Sequence, residues 1–196
     1  MGVIEHLVSP SGFPKLPQVT PPVEHLSVIS YNILLPNSVD GWWTYKMYMP
    51  PLPEELQYQS SWDYRRDLLK ERLKLVNADV VCLQEVSPKS FEQDFDFMQE
   101  LGYDGFELFK KGRFRPATFW KTSQCELVTP AVHKDRSLLT AFRIHERPPN
   151  KPAKNWYVLN CHLQAGRQSK RRVRQINEGV KGVLTLARKQ KGGWSI

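Results

Sequence analysis

Residues 78–86 read ADVVCLQEV. Val80, Val81, Cys82 and Leu83 are apolar without alternation, the pattern of a strand buried on both faces. A chain built around such a strand has to cover it from both sides. The strand then runs into Gln84 and Glu85, where the next buried residues would stand. An unpaired carboxylate in that place costs several kcal/mol or neutralises, so Glu85 needs something to face.

The flanking sequence supplies the cover. LSVISYNILL (26–35) predicts a first strand, stopped by Pro36. SWDYRRDLLKERLKLVN (61–77) predicts a helix, because Leu69, Leu73 and Val76 recur at spacings of four and three. Ser60 or Ser61 can cap it, and Asp63 suits its first turn. With a strand at 79–84 these segments make a strand–helix–strand unit. A second helix is expected from Pro88 to Leu101, with Phe91, Phe95 and Met98 as its apolar stripe and Gly102 ending it. Strands are expected at 103–109, 115–121, 125–129, 137–145 and 156–163. A basic helix is expected from Arg167 to Lys189, with Val173, Ile176, Val180, Leu184 and Ala187 on the side that covers a sheet.

The remaining segments punctuate this core. Residues 1–25 are proline-rich and aperiodic and predict an extended, poorly ordered lead-in. Residues 26–189 are expected to form one domain, and 190–196 a tail. The long stretch GWWTYKMYMPPLPEELQYQSS (41–61) reads as a functional or mobile loop. Its Trp42, Trp43, Tyr45 and Tyr48 either stack nucleobases or plug the core.

Charge is unevenly spread. The net charge is +8, but residues 147–196 hold 12 Lys or Arg against one acidic residue, Glu178. The first 146 residues hold 16 Lys or Arg against 19 acidic ones. A basic C-terminal third on a mildly acidic body suits a polyanionic partner, or is a solvated face. No apolar run approaches the roughly 18–20 residues that span a bilayer. The first ten residues lack the basic start and long apolar stretch of a signal peptide. Cys82, Cys125 and Cys161 are widely spaced in apolar contexts, which fits a reducing interior, cytoplasmic or nuclear.

Three strand ends stand out: SYN with Asn32, LQEV with Glu85, and NCHL with Asn160 and His162. Taken singly they stay open. Asn32 is a turn-forming cap or a site residue, His162 a core histidine or a ligand-facing one, and Glu85 pairs with Arg136 or Arg143 or faces a metal. In this order the three resemble the endonuclease/exonuclease/phosphatase superfamily, with the deoxyribonuclease-I-like fold. The 26-residue stretch SWDYRRDLLKERLKLVNADVVCLQEV is similar to carbon-catabolite-repressor-type deadenylases and nocturnin.

The resemblance, over residues 26–187, implies an α+β fold: the N-terminal half of a four-layer α/β/β/α sandwich with mainly antiparallel sheet. It implies a Mg²⁺-dependent phosphodiesterase or nuclease acting on RNA, with Asn32, Glu85, Asn160 and His162 as catalytic residues and Glu85 as the metal ligand. Arg113, Arg115, Arg167, Arg171, Arg172 and Arg174 are the candidate substrate-binding cations. The family's Gly–Asp–x–Asn strand end and late Asp–His pair do not occur in the 196 residues. The isolated chain is therefore expected to be inactive, needing a partner or a missing C-terminal half. The alternatives are a non-catalytic RNA- or phosphate-binding module and a relative of the phosphoinositide and lipid phosphodiesterases.

Overall fold

The computed structural model describes residues 25–36, 53–109, 114–145 and 153–191. In chain order its regular elements are β1 (Val28–Asn32), α1 (Trp62–Val76), β2 (Val80–Val86), α2 (Phe91–Asp94), α3 (Phe97–Glu100), β3 (Gly105–Leu108), β4 (Arg115–Trp120), β5 (Cys125–Leu127), β6 (Val132–Lys134), β7 (Ser137–Ile144), β8 (Trp156–Cys161) and α4 (Ser169–Lys191). A 3-10 helix, Glu54–Ser60, lies within the stretch expected to be loop. The lead-in to residue 24, the aromatic cluster Trp42, Trp43, Tyr45 and Tyr48, Arg113 and the last five residues lie outside the described residues.

Strand β2 sets the layers. Val81 and Leu83 face the helices, in a cluster with Leu69, Leu73, Phe91, Phe95 and Phe119. Val80 and Cys82 face the other way, against Trp120, Cys125 and Phe142. The first sheet has the order β1-β2-β4-β3, with β1 and β2 parallel and the other pairs antiparallel. In the second sheet β5 and β6 lie along one edge of β7 and β8 runs along the other, all antiparallel. Helix α4 covers the far side of that sheet. The architecture is α+β, with two mainly antiparallel sheets between helical layers, as expected.

Helix α1 follows its sequence signals. Ser61 Oγ accepts from Tyr64 N at 3.2 Å, and Asn77 closes the helix in the left-handed region at φ 51°. The helix expected over 88–101 is broken in two. Arg66 Nε takes the Asp94 carbonyl at 3.1 Å, so Met98 N turns to Phe95 O instead. The expected stripe of Phe91, Phe95 and Met98 is nevertheless buried.

The face of α4 differs from expectation. Val173, Ile176, Val180 and Leu184 are 37–59% exposed. The packed face carries Gln175, Gly179 and Gly182 instead. A Cβ on Gly179 would come within 2.6 Å of a Leu159 methyl, so any larger residue there would force the Leu159 side chain to move.

Candidate active site at the strand ends

The parallel register of β1 and β2 sets Asn32 opposite Gln84, so both strands end at the same level. On β2 the ladder with β4 is regular through Leu83–Ala117 and resumes at Val86–Arg115. Gln84 and Glu85 together oppose the single residue Pro116, so β2 carries a bulge. Val86, not Glu85, joins Val81 and Leu83 against the helices. The extra residue thus lifts Glu85 out of the core alternation. Its backbone sits at φ 64°, a left-handed conformation that costs a non-glycine residue about 1–2 kcal/mol.

Glu85 faces Asn32 and His162. Asn32 Nδ2 donates to Glu85 Oε1 at 2.9 Å, while Asn32 Oδ1 accepts from Leu34 N at 2.9 Å. His162, just past β8, donates from Nδ1 to the Phe114 carbonyl at 2.8 Å. Its Nε2 lies 3.4 Å from Glu85 Oε1. With Nδ1 already carrying a proton, Nε2 donates to the carboxylate only when the ring is cationic. The two groups stabilise each other's charge. The hydrogen bond from His162 holds Glu85 below the usual carboxylate range, against the effect of burial. The bond to Glu85 raises His162 above its ordinary value, against burial and the nearby Arg136 charge.

The sign of the pH effect follows. The depressed Glu85 contributes stability that is full above 4.5 and lost as pH falls through its folded pKa. The raised His162 contributes stability that is full below 6.5 and lost as pH rises through its folded pKa. In metal-free protein the pair therefore stabilises most between pH 4.5 and 6.5. Urea melts of parent and His162→Gln across pH are expected to differ most in that window. A difference that is flat with pH would contradict the pairing.

Arg65 completes the frame. Its guanidinium donates to the carbonyls of Ile33, Leu34 and Leu35 at 2.7, 3.4 and 3.3 Å. Leu34 and Leu35 both sit at positive φ, so this clamp holds a strained turn next to Asn32. Arg65 lies in the 26-residue stretch on which the resemblance rests, but the sequence assigns it no role. The Phe114 carbonyl was also missed, because a main-chain acceptor has no side-chain signature.

The other candidates lie elsewhere. Asn160 is 3% exposed and sits between the sheets, bonded to Leu83, Ala117, Thr118 and Gln84. It shares the face of His162 but lies beneath Glu85 rather than beside it. Arg115 stacks 4.9 Å over Phe109 and donates to Asp135 O at 3.2 Å. Burial and the Arg136 charge hold its pKa below the ordinary value. Arg172 donates to the carbonyls of Gln164 and Gly166 at 3.2 and 2.6 Å, which ties down the turn before α4. Arg167, Arg171 and Arg174 are exposed, and Arg174 lies 4.0 Å from Glu178. Arg143, an alternative partner for Glu85, bonds Glu126 and Asn155 instead.

The donor chemistry suits a hard dication of low coordination demand. The Asn32 and His162 contacts both fall on Glu85 Oε1, so Oε2 remains for a cation. Among the described residues no group of three or more His, Cys, Asp or Glu is placed to hold a metal ion. One free carboxylate oxygen suits a hard divalent cation that keeps most of its waters.

The profile of the endonuclease/exonuclease/phosphatase family matches residues 29–190. Ccr4 of Schizosaccharomyces pombe, a 3'-5'-exoribonuclease subunit of the CCR4-Not complex, is 33% identical over 111 residues. That stretch is 50% of this chain and 15% of the relative. The structure of ANGEL2, described as a 2',3'-cyclic phosphatase, superposes with a TM-score of 0.52 at 25% identity, over 71% of this chain and 41% of that one. The human nocturnin catalytic domain shares the fold, with a TM-score of 0.53 at 15% identity, over 82% of this chain and 59% of that one. The chain thus spans about half the length of these solved neighbours and a small part of the curated relative.

Proposed function

We propose that this chain, which belongs to the endonuclease/exonuclease/phosphatase family, carries the metal-holding part of a Mg²⁺-dependent phosphodiesterase that acts on RNA. The observation that carries this reading is the meeting of Asn32, Glu85 and His162 at coincident strand ends. Glu85 would hold the ion, and Mg²⁺ when bound supplies charge neutralisation at a phosphate oxygen. Asn32 orients the carboxylate. His162, fixed by the Phe114 carbonyl, presents Nε2–H to a non-bridging phosphate oxygen and stabilises charge that builds there. The carboxylate that keeps the imidazole cationic before substrate arrives is the same one that would hold the metal.

RNA as substrate is supported by the likeness to exoribonuclease relatives and by the basic face of α4. A deadenylase-like action fits both. Three free cysteines, two of them buried, suit a reducing compartment, cytoplasmic or nuclear, and no helix among the described residues is long and apolar enough to cross a membrane. On its own the chain is proposed to bind RNA without turnover.

Binding is tested on α4. Arg167, Arg171 and Arg174 are free to meet phosphates in a way that Arg172, tied to two carbonyls, is not. Replacing Arg167, Arg171 and Arg174 together by Ala is expected to weaken single-stranded RNA binding at low salt. The salt slope should flatten by about 0.7 for each phosphate that the variant no longer neutralises, with sequence preference unchanged. Fluorescence anisotropy over a salt series checks this. Unchanged affinity at low salt would make the run a solvated face.

A further inference from the structure

We propose that Asn160 is a positioning residue: it pins the bulge that turns Glu85 out of the core. Asn160 lies on β8, in the second sheet, yet its side chain reaches across to the first. Nδ2 donates to Leu83 O at 3.1 Å and Ala117 O at 2.9 Å, with Thr118 Oγ1 at 3.3 Å. Leu83 and Ala117 are partners across the last regular rung of β2 and β4. The amide therefore spans that rung from above.

The next residues explain why the rung needs support. Pro116, opposite the bulge, turns its carbonyl away from β2, to Phe109 N just past β3 at 3.2 Å. Gln84 and Glu85 thus pass a residue of β4 whose carbonyl serves the opposite edge. Asn160 Oδ1 accepts from Gln84 Nε2 at 2.9 Å, and Gln84 Nε2 also contacts Cys82 O and Ser30 Oγ at 3.1 Å each. One buried amide thereby holds the carbonyl before the bulge, the carbonyl facing it and the side chain of the bulge's first residue. With Gln84 held inward, the second residue, Glu85, is turned outward at φ 64°.

A plain staple between sheets would lower stability everywhere alike. A bulge pin would loosen one place more than the rest. The catalytic meaning of the pin rests on the phosphodiesterase reading, whereas its test needs neither metal nor RNA. Amide hydrogen exchange is followed by NMR in the 196-residue chain, metal-free, for the parent, Asn160→Ala, the near-isosteric Asn160→Asp, and Thr140→Val as a control. Thr140 is fully buried and bonds Val158 O at 3.4 Å within the second sheet.

In both Asn160 variants, exchange at Leu83, Gln84, Glu85, Val86 and Ala117 is expected to rise about tenfold beyond the rise at second-sheet amides. Thr140→Val should raise all amides together. If Asn160→Ala does not fold, Glu85→Gly in the same chain is expected to restore folding, because glycine accepts the left-handed backbone without strain. Uniform loss of protection in the Asn160 variants, or a double variant as unfolded as Asn160→Ala, would overturn the role.

Discussion

Purified 1–196, given millimolar Mg²⁺, is expected to cleave neither poly(A) nor mixed-sequence RNA above a Glu85→Ala control. In-line hydrolysis of a phosphodiester needs a metal, a donor for the developing charge and an oriented water together. In the proposed site Glu85 would support the first and His162 the second. Around them stand Asn32, which holds Glu85, and Arg65, which holds the turn beside Asn32. Neither is a base for the attacking water. Catalytic groups that act as a unit are strongly non-additive, so lacking one costs on the order of 10⁴–10⁶ in rate. A longer product that carries the Gly–Asp–x–Asn and Asp–His groups should cleave, and should fall to background with Glu85→Ala or His162→Ala. Mg²⁺-dependent turnover by the 196-residue chain, abolished by Glu85→Ala, would contradict this division of labour.

The largest stability effect is expected at Phe119. Its ring stacks on Phe91 at 5.4 Å with an interplanar angle of 11°, and also meets Phe95 and Phe106. It is 2% exposed and lies where β4 meets the helices. Phe119→Ala removes one ring from this packed group and leaves a cavity that the rigid β2–β4 pair cannot close. The expected cost is about 3–5 kcal/mol. Val180→Ala is the contrasting case. The apolar periodicity of the last helix would place Val180 in a core, but it is 45% exposed, so its loss should cost under about 0.5 kcal/mol. Urea denaturation of the two variants against the parent checks both. A Val180→Ala cost near that of Phe119→Ala would mean that α4 packs through its apolar stripe after all.

These contrasts mark what the sequence could and could not say. The unbroken apolar run at 80–83 placed β2 in the middle of the layers, because only a strand covered on both faces tolerates that composition. The cap at Ser61 and the stripe of α1 were equally legible, since both depend on neighbours close in sequence. The exit of Glu85 was not. It depends on a bulge at a non-glycine residue, and the register that makes the bulge is set by another strand. The packed face of α4 was hidden for a similar reason. Periodicity finds the greasiest stripe, but the packed face holds Gln175 and Gly179, and Gly179 leaves room for Leu159 by what it lacks. The split between α2 and α3 came from Arg66, a distant residue competing for a helix carbonyl.

At the site, residue types were legible and depth was not. Strand alternation places Asn160 and His162 on one face. It could not say that Asn160 would end between the sheets, with its amide bonded to four residues, while His162 reached the strand-end level. Among the candidate cations, charge density alone could not separate Arg172, bound to two carbonyls, from its exposed neighbours.

Glu85 is proposed as the carboxylate that holds the metal. Mn²⁺ replaces Mg²⁺ at oxygen sites and broadens nearby NMR signals even when binding is weak. Titrated at substoichiometric Mn²⁺, the parent is expected to lose the amide signals of Asn32, Glu85, Val86 and His162 first, and Glu85→Gln to keep them. Broadening that is unchanged in Glu85→Gln, or that leaves those four signals untouched in the parent, would contradict the claim.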